Sequence, residues 1–436
     1  MKKLNVIYNG WGERWVLGTL ADAKSDVLFE YSATAVERGL ELSPLHHPLP
    51  RTGAVATTYR GQAAFYGLPG FVADALPDGW GMLLMDRALR QAGRDPVGVS
   101  VLERLAIVGN NAMGALSFEP SQEDMLPAED LSLSKLLREV RSIQSLQTKE
   151  ADAKSDANAA LAHLMRLGGS PQGARPKLLA DFNPRTGKLV SGMEQKGASR
   201  PWLIKFPSDV EHREVCAVEE AYAKLARLGG IDMPRSKLFE ISTNASAFGV
   251  ERFDRVVNNR TVNPLLNAVQ RVPMLSLGGL LQADHRLPSL DYETLLLATL
   301  RITGDQGEVL KAFERCIFNV LLHNRDDHAR NFAYCLNAKG FWKLSPAFDL
   351  TFSQGPGGEH STSVAGHGKN ISRGHLLQIA KAGGLKIKEA ERCIDHWLAV
   401  VRKFASATKG LPIRRATLAH ITQHVAQQSA LLVTKY

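Results

Sequence analysis

His323-Asn324-Arg325-Asp326-Asp327-His328-Ala329-Arg330-Asn331-Phe332 is the stretch on which the reading turns. Before it comes an apolar run with Phe318, Val320, Leu321 and Leu322, and it leads into Phe332-Ala333-Tyr334. These flanks predict a buried helix on one side and a buried strand on the other. A segment that only filled a core would not gather so many charged and amide side chains between two buried elements. Downstream, Asn337-Ala338-Lys339-Gly340 predicts a hairpin turn. Leu344-Ser345-Pro346-Ala347-Phe348-Asp349-Leu350 then adds a lone carboxylate after an apolar strand.

Phosphoryl transfer needs this set. One carboxylate orients the attacking hydroxyl or accepts its proton, while a second carboxylate and an amide oxygen supply the hard ligands that Mg²⁺ prefers. Asp326 and Asn331 are separated by four residues, the D-x-x-x-x-N spacing of a kinase catalytic loop, and Asp349 follows a short hairpin, as a metal-binding Asp would. The spacing alone is common by chance, and an Asp and an Asn that merely cap turns would look the same. The succession of loop, strand, turn, strand and Asp is much rarer.

Two further parts of a kinase are sought upstream. A lysine for the phosphates, held by a helix glutamate, is met by Lys205 at the end of the apolar strand Trp202-Leu203-Ile204-Lys205, with Glu214, Glu219 and Glu220 on the helix expected over 211–228. A lysine at a strand end is more often solvated, so alone it says little. A loop to cradle phosphates is met by Gly168-Gly169-Ser170-Pro171-Gln172-Gly173-Ala174-Arg175-Pro176-Lys177, glycine-rich, basic and placed before a strand. It is neither a Walker A loop nor G-x-G-x-x-G.

The rest of the chain fits an α+β protein of two lobes. Leu4–Tyr8 and Trp15–Leu17 flank Asn9-Gly10-Trp11-Gly12 as strand, turn and strand, and an amphipathic helix follows Leu76-Pro77-Asp78-Gly79. The acidic stretch around 119–130 reads as a linker, 131–166 as helical, and 177–253 as short strands around the helix over 211–228. Beyond 290 helices dominate. Three parts are expected: a β-rich N-terminal subdomain over 1–125, an α+β part over 126–255 and a helical part over 256–436.

The 436 residues are 44% hydrophobic and 22% charged, ordinary values for a globular protein. No apolar run of about 18 residues reads as a membrane span, and the N-terminus leaves no room for a signal peptide. Cys216, Cys316, Cys335 and Cys393 form no C-x-x-C pair. Free thiols in a reducing cytoplasm are therefore expected, and with them a cytoplasmic location without a membrane partner. The net charge of +9 is compatible with a polyanionic partner, although no dense Lys/Arg tract marks a groove.

At these residues the sequence resembles the HipA family of bacterial serine/threonine kinases, the toxins of toxin–antitoxin pairs. Phe71-Val72-Ala73-Asp74-Ala75-Leu76-Pro77-Asp78-Gly79-Trp80 is similar to the family's N-terminal subdomain, and 169–177 to its phosphate loop. Trp202–Pro207 is similar to its ATP-lysine strand, Glu251–Arg255 to its hinge, and 324–332 with 345–350 to its catalytic and metal motifs. The resemblance implies a two-lobed, protein-kinase-like fold that uses ATP and Mg²⁺. Asp326 would be the catalytic base, with Asn331 and Asp349 on Mg²⁺. Gly173, Ala174, Lys177 and Lys205 would meet the phosphates, and Glu219 would partner Lys205. Glu251 and Phe253 would meet adenine through their backbone and Asp254 the ribose. His328 would fix the loop beside the nucleotide, among the ATP-binding residues. Ser170 would be the autophosphorylated serine that switches the kinase off, a change of nearly two negative charges where ATP's phosphates belong. The implied partners are a small helix-turn-helix antitoxin of the HipB type, operator DNA reached through that antitoxin, and a protein substrate, an aminoacyl-tRNA synthetase in known members.

Arg330 stands where many relatives carry Lys, and Ser170-Pro171-Gln172 departs in detail from the better-known loops. No helix-turn-helix signature is visible in this chain. Two other classes stay open: an antitoxin-bound corepressor with little kinase activity, which the charge suits, and a kinase of small molecules. An intact Asp326, Asn331 and Asp349 set argues against a pure scaffold, which needs no metal site.

Overall fold

The structure, a computed structural model, describes residues 1–23, 26–50, 57–58, 63–121, 130–145, 160–165, 167, 172–191, 199–209, 211–257 and 269–433. The chain divides into two compact units. The first holds Met1–Arg213 and Lys237–Met274, and the second Glu214–Ser236 and Leu275–Tyr436.

The first unit is built on two sheets. A five-stranded sheet runs in the order Thr57–Thr58, Asp26–Tyr31, Trp15–Ala23, Lys3–Tyr8, Leu116–Glu119. The strand, turn and strand expected at the N-terminus form its centre, antiparallel from Lys3 opposite Ala21 to Tyr8 opposite Trp15. A six-stranded sheet runs in the order Ser236–Ser242, Ala245–Glu251, Arg200–Lys205, Lys177–Phe182, Leu189–Val190, Asp130–Leu131. The expected turn over 183–187 joins two of these strands, with the Gly187 N–H donating to the Asn183 carbonyl at 2.8 Å. Strand alternation divides the sheet's faces. Leu178, Ala180 and Phe182 pack with Trp202, Ile204 and Phe206 in one core cluster, so Lys177 and Lys205 point to the opposite face. The helix Gly79–Gln91 starts where Pro77-Asp78-Gly79 predicts and adds Trp80 and Leu84 to that core.

A buried ion network joins the loop over 110–114 to residues 252–255. Asp254 takes the Arg252 guanidinium in two bonds of 2.9 and 2.8 Å, one from Arg255 at 2.7 Å and one from the Gly114 N–H at 2.8 Å. Arg255 also donates to the Gly114 and Ala112 carbonyls, at 2.9 and 3.0 Å.

The second unit is helical. Its centre is the helix Gln306–Leu321, started by Asp305, whose carboxylate accepts from the Gly307 N–H at 2.8 Å. Val309, Ala312, Phe313, Cys316, Ile317 and Val320 recur at helical spacing and are wholly buried, and so are Phe318 and Leu321. The helix is thus apolar round most of its circumference, as an internal helix must be. Tyr292–Thr303, Arg373–Ala382, Ile387–Val401 and Arg415–Val433 pack around it, as does Val215–Leu228, which the sequence led us to start near 211. Trp397 packs edge-on against Phe318 at 5.4 Å, and a Cβ at Gly229 would lie 2.2 Å from its ring, so that position must be glycine. The expected hairpin pairs Ala333–Leu336 with Trp342–Leu344. Among the described residues no helix is long and apolar enough to cross a membrane.

Candidate active site

In the second unit the polar residues of the buried helix Gln306–Leu321 each hold part of the loop and hairpin picked out from the sequence. Glu308 accepts from the Leu344 N–H at 3.0 Å. Arg315, buried and with its pKa pulled down to about 10 chiefly by that burial, donates to the Ser345 carbonyl. The Ala347 N–H is tied to the Asp232 carbonyl at 2.7 Å. Together these bonds fix the approach to Asp349, a non-glycine residue with φ of 54°. Such a conformation persists only where its surroundings impose it, and it is common at functional sites.

Asn319 holds the other end. Its side chain bonds Asn324 at 2.9 Å and the Tyr292 hydroxyl at 2.8 Å. His323, with φ of 54°, turns the chain out of the helix, and Asn324 to Asp327 follow as an irregular loop. The two adjacent aspartates part company there. Asp326 points outward, 60% exposed, with its carboxylate 3.9 Å from His328 Nε2. Asp327 is sealed in and accepts from Tyr292 at 2.8 Å and from the Ser361 and Thr362 N–H groups at 2.8 and 3.3 Å, and lies 2.7 Å from His360 Nδ1. The inward carboxylate fixes the loop and leaves the outward one accessible. His328 accepts from the Arg330 N–H at 3.3 Å, at the start of the turn Ala329–Asn331. The Asn331 Nδ2 donates to the Asp326 carbonyl at 2.5 Å, which leaves its Oδ1, the atom a cation takes, outside that bond.

Asn331 and Asp349 are hard oxygen donors and suit Mg²⁺, which binds through one or two protein groups and keeps its waters. Among the described residues no group of three or more His, Cys, Asp or Glu forms a metal cluster, as that mode of binding allows.

Glu219 lies in the same unit, on Val215–Leu228, and is 1% exposed. The two alternatives considered for the lysine partner are engaged elsewhere: Glu214 with Arg414 at 2.6 Å, and Glu220 near Lys224 and Arg227 at 3.8 and 3.9 Å.

In the first unit Lys177 stands directly opposite Lys205 across the antiparallel ladder, and each is 4% exposed. Cross-strand neighbours share a face, and like charges so placed repel. Lys205 Nζ also lies 5.8 Å from the centre of the Phe248 ring. Lys177 Nζ donates to the Gln172 carbonyl and lies so close to Gly173 that a Cβ there would be 2.1 Å away. Gly173 has φ of 105°, a conformation that favours glycine. Its N–H is taken by the Asp78 carboxylate. Ser170 lies outside the described residues, with Gly168, Gly169 and Pro171.

Glu251 ends the strand Ala245–Glu251, paired with Trp202, and Phe253 follows. Asp254 has a different duty from the one expected. It is 1% exposed, and both its oxygens are bound by arginines. Burial works to raise its pKa, but Arg252 and Arg255 outweigh it and hold the carboxyl well below the usual range. This carboxylate anchors residues 112–114 rather than facing a sugar. The sequence offered no sign of that partner, which lies 140 residues away. Asp327 and its partners Tyr292 and His360 were also missed. A second Asp beside Asp326 was the only local signal.

Two family models match the chain: the HipA N-terminal domain over residues 4–119 and the HipA-like C-terminal domain over residues 169–407. Y4mE of Sinorhizobium fredii is 24% identical over 439 residues, covering 97% of this chain and 91% of its own length. Y4dM of the same organism is 24% identical over 312 residues, 68% of this chain but only 65% of its own length. Both are provisionally named as kinases. Among solved structures, the HipA, HipB and operator DNA complex of Shewanella oneidensis superposes with a TM-score of 0.67 at 17% identity, covering 98% of this chain and 96% of the other. The fold is accordingly the α+β, protein-kinase-like one expected from the sequence, and with one family model spanning more than half of its residues the chain belongs to the HipA family.

Proposed function

We propose that the chain is an ATP- and Mg²⁺-dependent serine/threonine kinase that serves as the toxin of a HipA–HipB type pair. The observation that carries this reading is the pair Lys177 and Lys205, two buried ammonium groups on neighbouring strands. A bound polyphosphate is the ligand that two neighbouring ammonium groups would take. In this reading Asp326 accepts the proton of the attacking serine or threonine hydroxyl, and its exposure lets a protein substrate reach it. Asp327 keeps that carboxylate in place. Asn331 and Asp349 hold Mg²⁺, which supplies charge neutralisation on the transferring phosphoryl group. Glu219 partners Lys205, and the backbone at Glu251 and Phe253 takes the adenine. Phosphorylation of Ser170 would repel ATP from the loop and switch the enzyme off. The protein target is an aminoacyl-tRNA synthetase or another component whose modification stops growth. Because the Shewanella relative was solved with HipB and operator DNA, a HipB-like antitoxin and its operator are the proposed partners.

The test is to incubate the purified chain and its Asp326→Gln variant with γ-labelled ATP and Mg²⁺ and to map the label by mass spectrometry. Label on serine or threonine in the wild type alone is the expected result. No label, together with no nucleotide binding by calorimetry, would leave a corepressor as the better account.

A further inference from the structure

We propose that Asp78 is a positioning residue for the phosphate loop, acting through a reciprocal cap between Gly173 and the start of the helix Gly79–Gln91. The proposal rests on the kinase reading above and names a device inside it. An aspartate at a helix start ordinarily accepts from N–H groups of its own first turn. Asp78 makes no such bond. Its Oδ1 instead accepts from the Gly173 N–H, 95 residues along the chain. In return the Trp80 N–H, one of the donors that a helix start leaves without an internal partner, is satisfied by the Gly173 carbonyl at 3.0 Å. Both polar backbone groups of Gly173 are thus held by one short segment.

The surroundings are shaped to the same end. Gly79 has φ of 41°, and a Cβ there would come within 2.7 Å of the Gly173 carbonyl oxygen and of Ala174 Cα. The Gln172 amide donates to the Asp74 and Leu76 carbonyls at 2.8 and 3.2 Å. Trp80 packs into the core with Leu178, beside Lys177 on the strand that follows the loop. The segment over 74–80 therefore sets the path of residues 172–174, and Lys177 Nζ is referred to that path through the Gln172 carbonyl. A loop held in advance loses less freedom when it takes up phosphate, which raises affinity without a new contact to the ligand. The opposite role would make the Asp78 carboxylate a placeholder for a phosphate, so that its removal would tighten binding. The bonds from Trp80 and Gln172 carry no charge and hold the same residues, which is what positioning requires.

The experiment uses the full chain as wild type, Asp78→Ala, Asp78→Asn and Asp78→Ser. Asparagine keeps an acceptor of the same reach. Serine can cap its own helix but cannot reach Gly173, so it replaces the alanine variant should that one fail to fold. A non-hydrolysable ATP analogue with Mg²⁺ is titrated by calorimetry, and backbone hydrogen exchange over 172–177 is followed without nucleotide. Loss of one cap corresponds to about tenfold in affinity. We expect that loss in the alanine and serine variants, with faster exchange at Gly173, and asparagine within about threefold of wild type. Affinity equal to or tighter than wild type in the alanine and serine variants overturns the proposal. If the wild type binds no nucleotide, the kinase reading falls and takes the nucleotide role of Asp78 with it. Exchange at Gly173 then judges the cap by itself, and unchanged rates in the variants overturn that too.

Discussion

Tyr292 donates its phenolic hydrogen bond to Asp327 Oδ2 at 2.8 Å, and neither side chain is reached by solvent. The same oxygen lies 2.7 Å from His360 Nδ1, while Oδ1 serves two backbone N–H groups. Removing the carboxylate leaves several buried donors without an acceptor. Asp327→Ala should therefore lose about 2–4 kcal/mol of stability, and Tyr292→Phe about 1 kcal/mol. A double-mutant cycle by denaturant unfolding would show coupling between the two, and additive losses would argue that they act separately.

The lysine pair gives an unusual expectation. Lys177 and Lys205 are buried side by side, where a bound polyphosphate would meet both ammonium groups. Lys205→Met and Lys177→Met should each weaken ATP binding at least about tenfold in a protein that still folds. A variant that melts early while binding ATP normally would show that the lysines hold the fold and not a polyphosphate.

How far the sequence was legible follows the range of the interactions. The helix before His323, the hairpin around Asn337–Gly340 and the strand before Lys205 were readable, because apolar periodicity and turn residues act over a few positions. Asp326, Asn331 and Asp349 were picked out as candidates from spacing along one continuous stretch. What sequence did not give were partners distant in the chain. Asp254 looked like a ligand contact because nothing near it in sequence announces Gly114. Asp78 was read only as part of the segment before a helix, because Gly173 lies far downstream.

Asp254 yields a third prediction. Its carboxylate neutralises Arg252 and Arg255 in a site closed to water, so Asp254→Ala strands two buried guanidinium groups. The loss should be about 3–5 kcal/mol, large against the stability of an ordinary domain. Thermal melts of Asp254→Ala and Asp254→Asn would check it. A melting temperature within a degree of wild type would mean that the network contributes little.

Acid sensitivity gives the last prediction. His323 sits at the turn into the loop that carries Asp326 and Asp327, facing Arg325, His360, His420 and His424, with the Phe352 ring stacked 6.0 Å away. Burial first, and then the Arg325 charge and the neighbouring imidazoles, push its pKa down to about 3. In the unfolded chain it returns to the ordinary value of about 6.5. Below that value the unfolded state takes up a proton that the folded state refuses, so stability falls as pH drops from about 6.5 toward 3 and is fully kept above 6.5. His47, pushed down to about 4 by burial and by His46, contributes in the same direction. Asp181, whose pKa burial pushes up to about 6, works in the opposite direction in the same window, so the contribution of His323 is read from the difference between wild type and a variant. His323→Asn tolerates the positive φ at this position and carries no titrating group. Its unfolding midpoint should decline less steeply over that window than wild type does. Parallel declines in the two proteins would show that the proton is taken up elsewhere.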